Sequence, residues 1–210
     1  MRRTIIPYLH LNQYSHVYEF GVYNGDSIVS IYNIFDSVHR PIDKFFAFDS
    51  FDGFPETDEN YQDTWHTGGL SSKEHFGVSS IEECIQKILD KTGYRDSLEL
   101  IPGFFSDTLT QDIAQTYNMG PASFINLDAD LYSSAIEVLE FVVVNNILKE
   151  GTLIWYDDWG GSPNWMTYND GESRAHREIC DKYNIKCKQL VEIGDGYPHM
   201  QRLYVIEKIK

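Results

Sequence analysis

Short apolar runs alternate with segments of helical period along most of the chain. Val17–Val22 predicts a first strand, and Asp26–Val38 a helix with Ile28, Ile31, Tyr32 and Phe35 on one face. Phe45–Phe48 predicts a second strand, apolar on both sides. Ser80-Ile81-Glu82-Glu83 has the pattern of a capping box, and Ile81, Cys84, Ile85, Ile88 and Leu89 continue it as an amphipathic helix. Leu98–Ile101 and Phe124–Leu127 predict a third and a fourth strand, Ser134–Leu148 an apolar helix, and Thr152–Tyr156 a fifth strand. Ser173–Tyr183 reads as a further helix. Lys186–Ile193 and Arg202–Ile206 read as two closing strands, joined through the turn-rich stretch 194–198.

This alternation predicts an α/β fold: a doubly wound, Rossmann-like sheet of seven strands, mostly parallel, with an antiparallel C-terminal hairpin. The 210 residues suit one domain with a substantial core. Two connections are long for such a fold. Residues 52–79 carry Tyr61, Trp65, His66, His75 and Phe76, and residues 159–172 carry Trp165, Met166 and Tyr168. Aromatic loops of this length are either lids over a binding site or surface loops packed on their own rings.

A net charge of −15 narrows the partners. Such a surface repels a phosphate backbone and anionic lipid, so no nucleic acid and no membrane are expected. A neutral or sugar-like small molecule suits it better than a polyphosphate. Cys84, Cys180 and Cys187 make no C-x-x-C pair and an odd count, which argues against a disulfide framework or a structural zinc site. Met1-Arg2-Arg3 is followed by no sustained apolar region, and no stretch approaches the ~20 apolar residues of a membrane span. The expected location is the cytoplasm.

In open parallel sheets, ligands bind beyond the C-terminal ends of the strands. The first strand delivers Glu19-Phe20-Gly21-Val22-Tyr23-Asn24-Gly25 there, before a helix. Glycines at such a turn let a ligand approach the backbone and meet amides at the helix N-terminus. A dinucleotide fingerprint needs a glycine where Tyr23 stands, so a smaller anion such as an amino-acid carboxylate fits better than a pyrophosphate. Glu19 beside the turn offers an acceptor for an ammonium group. Asp49, ending the second strand, is placed to accept ribose hydroxyls or to cap a turn. Phe104 and Phe105, after the third, could flank an adenine ring or simply fill core.

The fourth and fifth strands end in Asp128-Ala129-Asp130 and Asp157-Asp158. Carboxylates crowded at adjacent strand ends repel unless a cation offsets them. Hard divalent ions take such oxygen ligands, and an ion there lowers the pKa of a hydroxyl and orients it. Helix caps are the plainer alternative: Asp130 before the following helix, Asp158 at a turn.

With these residues in place the sequence resembles the macrocin O-methyltransferase family. The marks are Glu19–Ser27, Phe48–Pro55, Leu127–Ser134, Asp157–Gly160 and Gly171–Ala175, in that order. Trp159 stands where the family usually has tyrosine. The resemblance implies a class I methyltransferase sheet using S-adenosylmethionine and a divalent metal, usually Mg2+. It implies a cofactor-binding set of Glu19, Gly21, Tyr23, Gly25, Ser27, Asp49, Ser50, Phe51, Gly103, Phe104, Phe105 and Asp128. Asp128, Asp157 and Asp158 match the metal ligands, and Asp128 with Asp130 the catalytic positions. The reaction implied is O-methylation of a small molecule, with a sugar hydroxyl as the leading acceptor and a homo-oligomer left open. The rival readings are a metal-independent N- or carboxyl-methyltransferase, a nucleotide-type oxidoreductase, and a binding module that keeps the cofactor pocket.

Overall fold

The computed structural model describes residues 2–56, 66–93, 95–159, 170–194 and 200–209. Tyr61, Trp65, Trp165, Met166 and Tyr168 lie outside them, as does most of the turn-rich stretch after Gly194. An N-terminal 3-10 helix, Arg2–Leu11, precedes β1 (His16–Phe20), α1 (Asp26–Ser37) and β2 (Lys44–Asp49). Then come α2 (Ser72–Phe76), α3 (Ile81–Thr92), β3 (Leu98–Pro102), α4 (Phe105–Thr108) and α5 (Gln111–Thr116). The chain closes with β4 (Ala122–Leu127), α6 (Tyr132–Val144), β5 (Leu153–Tyr156), α7 (Gly171–Tyr183), β6 (Lys186–Ile193) and β7 (Gln201–Lys208).

The seven strands form one sheet in the order β3-β2-β1-β4-β5-β7-β6. β1 to β5 run parallel, and β7 lies antiparallel between β5 and β6. Side chains alternate across it with period two. Tyr18, Phe20, Phe46, Phe48, Ile125, Leu127 and Tyr156 join the core on the face of α5, α6 and α7. Val17, Phe45, Phe124, Leu153 and Trp155 join the opposite core with α1, α3 and the 3-10 helix. Burial on both faces is why these strands read as near-continuous apolar runs.

The expected strands are all present, with shifted edges. β1 stops at Phe20, two residues early, because Gly21 turns the chain with φ +93°. α6 stops at Val144 rather than Leu148, where Asn146 adopts φ +58°. Residues 52–79 are not uniformly loop, since α2 lies within them; α2, α4 and α5 have too few residues to show a helical period. Gly171 and Glu172 belong to α7 rather than to the preceding loop. Ser80 and Glu83 form the expected capping box on α3. Among the described residues no helix is long and apolar enough to cross a membrane.

Candidate active site

β1 and β4 are neighbours although their connections leave to opposite faces, so a crevice opens at their C-terminal ends. A cavity of about 390 Å³ occupies it, within the range of small-molecule pockets of roughly 300–1,000 Å³. Its floor is the contact between two turns. Asp128 N–H donates to Phe20 O at 2.9 Å, and Gly21 N–H to Phe48 O at 3.0 Å. A Cβ on Gly21 would fall 1.8 Å from the carbonyl oxygen of Asp128. Only glycine allows so close an approach.

The turn after β1 is held from β2. Asp49 Oδ2 accepts from the amides of Val22 and Tyr23 at 2.6 and 2.8 Å, and Oδ1 accepts from Phe51 N–H at 2.6 Å. Those two turn amides, which precede the α1 N-terminus, are therefore committed to Asp49. A carboxylate has ~four lone-pair positions, so room for a ribose hydroxyl remains. Burial pushes the Asp49 carboxyl up, and the three amide bonds oppose that. Tyr23 takes the left-handed φ of +51° that glycine would favour, and its hydroxyl meets His75 Nδ1 at 3.0 Å.

Of the residues expected to bind a cofactor, Gly21, Tyr23, Asp49, Ser50, Phe104, Phe105 and Asp128 line the cavity. The other five do not. Glu19 is fully buried on the α1 face of β1, where Oε1 accepts from Asn126 Nδ2 at 2.7 Å. Gly25 is the N-cap of α1 and packs against Ile88; Ser27 is on the first turn of that helix. Phe51 is buried in the core. Gly103 bonds Asp49 O through its N–H at 2.9 Å. The far wall comes from Phe48–Pro55: Phe54 exchanges backbone hydrogen bonds with Gly68 and Gly69 at 2.9 and 3.1 Å.

All four aspartates of β4 and β5 reach the cavity. Asp128, Asp157 and Asp158 each place a carboxylate oxygen within 4.8 Å of the others. Asp130, at φ +56°, hydrogen-bonds to Asp158. Burial first, and then the neighbouring carboxylates, push the Asp128 and Asp130 carboxyls well above the ordinary range. Asp157 is oriented from its own strand and from β7: Trp155 Nε1 and Gln201 Nε2 donate to its Oδ1 at 3.1 and 2.6 Å. Among the described residues no lysine, arginine or histidine lines the cavity.

Two positioning residues were given no role by the sequence, although Glu172 lies within the Gly171–Ala175 mark. Gln201 becomes visible only through the β5–β7 pairing. Glu172, fully buried at the start of α7, accepts from Ala129 N–H through Oε1 at 3.1 Å and from Asp158 N–H through Oε2 at 3.0 Å. One carboxylate thus ties both acidic loops together. Glu172→Gln turns one acceptor into a donor facing an amide, and should cost about 1–3 kcal/mol by denaturant unfolding. Unchanged stability would remove this role.

The fold and this cavity define a class of protein: an S-adenosylmethionine-dependent methyltransferase. The chain belongs to the macrocin-O-methyltransferase (TylF) family, which it matches over residues 13–184. Among solved structures it is similar to the O-methyltransferase NovP, at 19% identity and TM-score 0.68, over 98% of this chain and 78% of that one. The calicheamicin methyltransferase CalS11 matches at 18% identity and TM-score 0.65, over 98% and 77%. Aeropyrum pernix fibrillarin, in complex with S-adenosyl-L-methionine, matches at 11% and TM-score 0.51, over 93% and 68%. At these identities the likeness is one of fold. No curated protein sequence matches the chain.

Proposed function

We propose that the protein methylates a hydroxyl of a small, sugar-like acceptor, with a divalent cation, most simply Mg2+, held by Asp128, Asp157 and Asp158. The observation that carries this is the cavity wall: its described residues include five carboxylates, from Asp49, Asp128, Asp130, Asp157 and Asp158, and no basic side chain. Such a wall suits cationic guests, and three oxygen donors within 4.8 Å of one another fit a hard ion. S-adenosylmethionine supplies an electrophilic methyl group, and a bound cation would supply Lewis acidity toward an oxygen nucleophile.

The chain's own residues then have separate tasks. Asp130, whose proton affinity is raised by burial and by Asp158, takes the acceptor's proton. Glu172 and Gln201 fix the loops from which the aspartates project. Tyr23, Ser50 and the Asp49 carboxylate hold the cofactor's polar end, and Phe104 and Phe105 offer ring faces to its adenine. Alignment of nucleophile and methyl group is the large remaining contribution. CalS11 is described as a TDP-rhamnose 3'-O-methyltransferase, which supports a sugar hydroxyl. The net charge of −15 favours an acceptor without phosphates for this chain. A screen of glycosides against nucleotide sugars, reading methyl transfer from labelled cofactor, tests this; exclusive use of amines or carboxylates would overturn it.

The raised carboxyls also predict a pH effect. Asp128, Asp130 and Glu172 are pushed up by burial foremost. Each contributes stability below the ordinary carboxylate range of about 4 and loses it as pH rises through the raised value. Metal-free protein should therefore lose thermal stability as pH rises, and Mg2+ should restore more at about pH 8 than at about pH 5. Equal gains at both pH values would argue against cation binding here.

A further inference from the structure

A second group of metal-ligating side chains meets on the opposite side of β5 from the α1 layer, between α7 and β6. His176 and Cys180 are four residues apart on α7, so they share one face of the helix. Asn184, at φ +51°, ends that helix and turns the chain into β6, which starts Lys186-Cys187. Cys180 Sγ lies 3.6 Å from Cys187 Sγ and 3.6 Å from His176 Nε2. One ligand atom from each of the three residues lies within 4.8 Å of the others.

We propose that His176, Cys180 and Cys187 form a zinc site, distinct from the carboxylate cavity and taking no part in methyl transfer.

Three observations carry it. The first is spacing. Zn–S bonds of about 2.3 Å and a Zn–N bond of about 2.0 Å at tetrahedral angles put two sulfurs about 3.8 Å apart and sulfur about 3.6 Å from nitrogen. Both observed separations are 3.6 Å. The second is the histidine's far side. Its Nδ1 lies 2.8 Å from the Tyr156 hydroxyl, and Tyr156, Trp159 and Tyr204 enclose the ring. A proton on Nδ1, donated to the phenol oxygen, leaves the Nε2 lone pair facing the sulfurs, as a ligating imidazole requires. A pair of thiols waiting to form a disulfide has no need of this third group.

The third is charge. Two thiolates and a neutral imidazole cancel the charge of Zn2+, which suits a small cavity of about 10 Å³ walled by Leu139, Ile154, Ile179 and Ile206. Each thiol releases its proton to solvent on binding. Cys180 and Cys187 are only half-buried, so a water can complete four-coordination. Soft sulfur ligands here and hard oxygens in the cavity would sort zinc from magnesium. The bound ion would pin α7, the helix carrying Glu172, to the edge strand β6.

Cobalt(II) titration of the reduced, metal-free full-length protein tests this. The expected result is one equivalent of binding with thiolate-to-cobalt charge-transfer absorption and visible bands of tetrahedral intensity, both erased by excess zinc. Cys180→Ser and Cys187→Ser should each lose the charge-transfer band, and Asp157→Ala should keep it. The unsubstituted protein decides the matter even if a serine variant fails to fold. Absence of the charge-transfer band from the reduced protein overturns the proposal. So does isolation with a Cys180–Cys187 disulfide that takes up no cobalt after reduction.

Discussion

Asp157→Ala is expected to lower the methylation rate by about a thousand-fold while S-adenosylmethionine still binds. A cation bound by the proposed ligands would supply Lewis acidity worth several kcal/mol of transition-state stabilisation, and each ~1.4 kcal/mol is tenfold in rate. Asp157 is the informative position because its oxygen is held by Trp155 and Gln201, away from the turn that carries Gly21 and is clamped by Asp49. Asp128→Ala should lose as much turnover, but Asp128 also abuts the β1 turn through its backbone. Calorimetry with the cofactor and a radiolabelled transfer assay separate the two losses. If either variant still methylates in excess chelator at a comparable rate, the carboxylates do not act through a cation.

Gly21→Ala should have the largest effect on the fold around the site. The methyl group would stand 1.8 Å from the Asp128 carbonyl oxygen, in a backbone conformation of φ +93° that L-residues rarely adopt. Neither atom can yield cheaply, because each belongs to a backbone held by the sheet: Gly21 N–H to Phe48 O, Asp128 N–H to Phe20 O. The expected cost is at least about 3 kcal/mol. For a chain of this size that lowers the thermal midpoint by roughly 6–12 °C. Cofactor affinity should fall with it, since Gly21, Tyr23 and Asp128 line the same cavity. A Gly21→Ala protein with unchanged midpoint and affinity would mean that the two turns do not meet as described.

What the sequence determined by itself was whatever depends on local pattern. Strands buried on both faces announce themselves as apolar runs, so β1 to β5 were legible to within a residue or two. α1, α3, α6 and α7 were legible as helices from their period, and α3 from its capping box, though the C-terminal end of α6 was read four residues long. The acidic pairs were legible as well, because crowded carboxylates need an explanation wherever the strands end. The order of motifs from Glu19 to Ala175 then carried the family and the reaction.

Tertiary structure alone decided how those residues divide their work. Asp49 proved to be the clamp on the β1 turn as well as a cavity wall, because its partners, Val22 and Tyr23, are brought to it by strand pairing. Glu19 faces the α1 side of the sheet, a consequence of its place in the alternation along β1. Glu172 sits some forty residues from Ala129 and reaches it only because α7 docks over the ends of β4 and β5. Cys180 and Cys187 make no recognisable metal motif in the chain, yet the turn at Asn184 folds one back against the other and against His176. Hydrogen bonds and ligand geometries act over a few ångströms of space, and sequence separation carries no information about which distant residues will come that close.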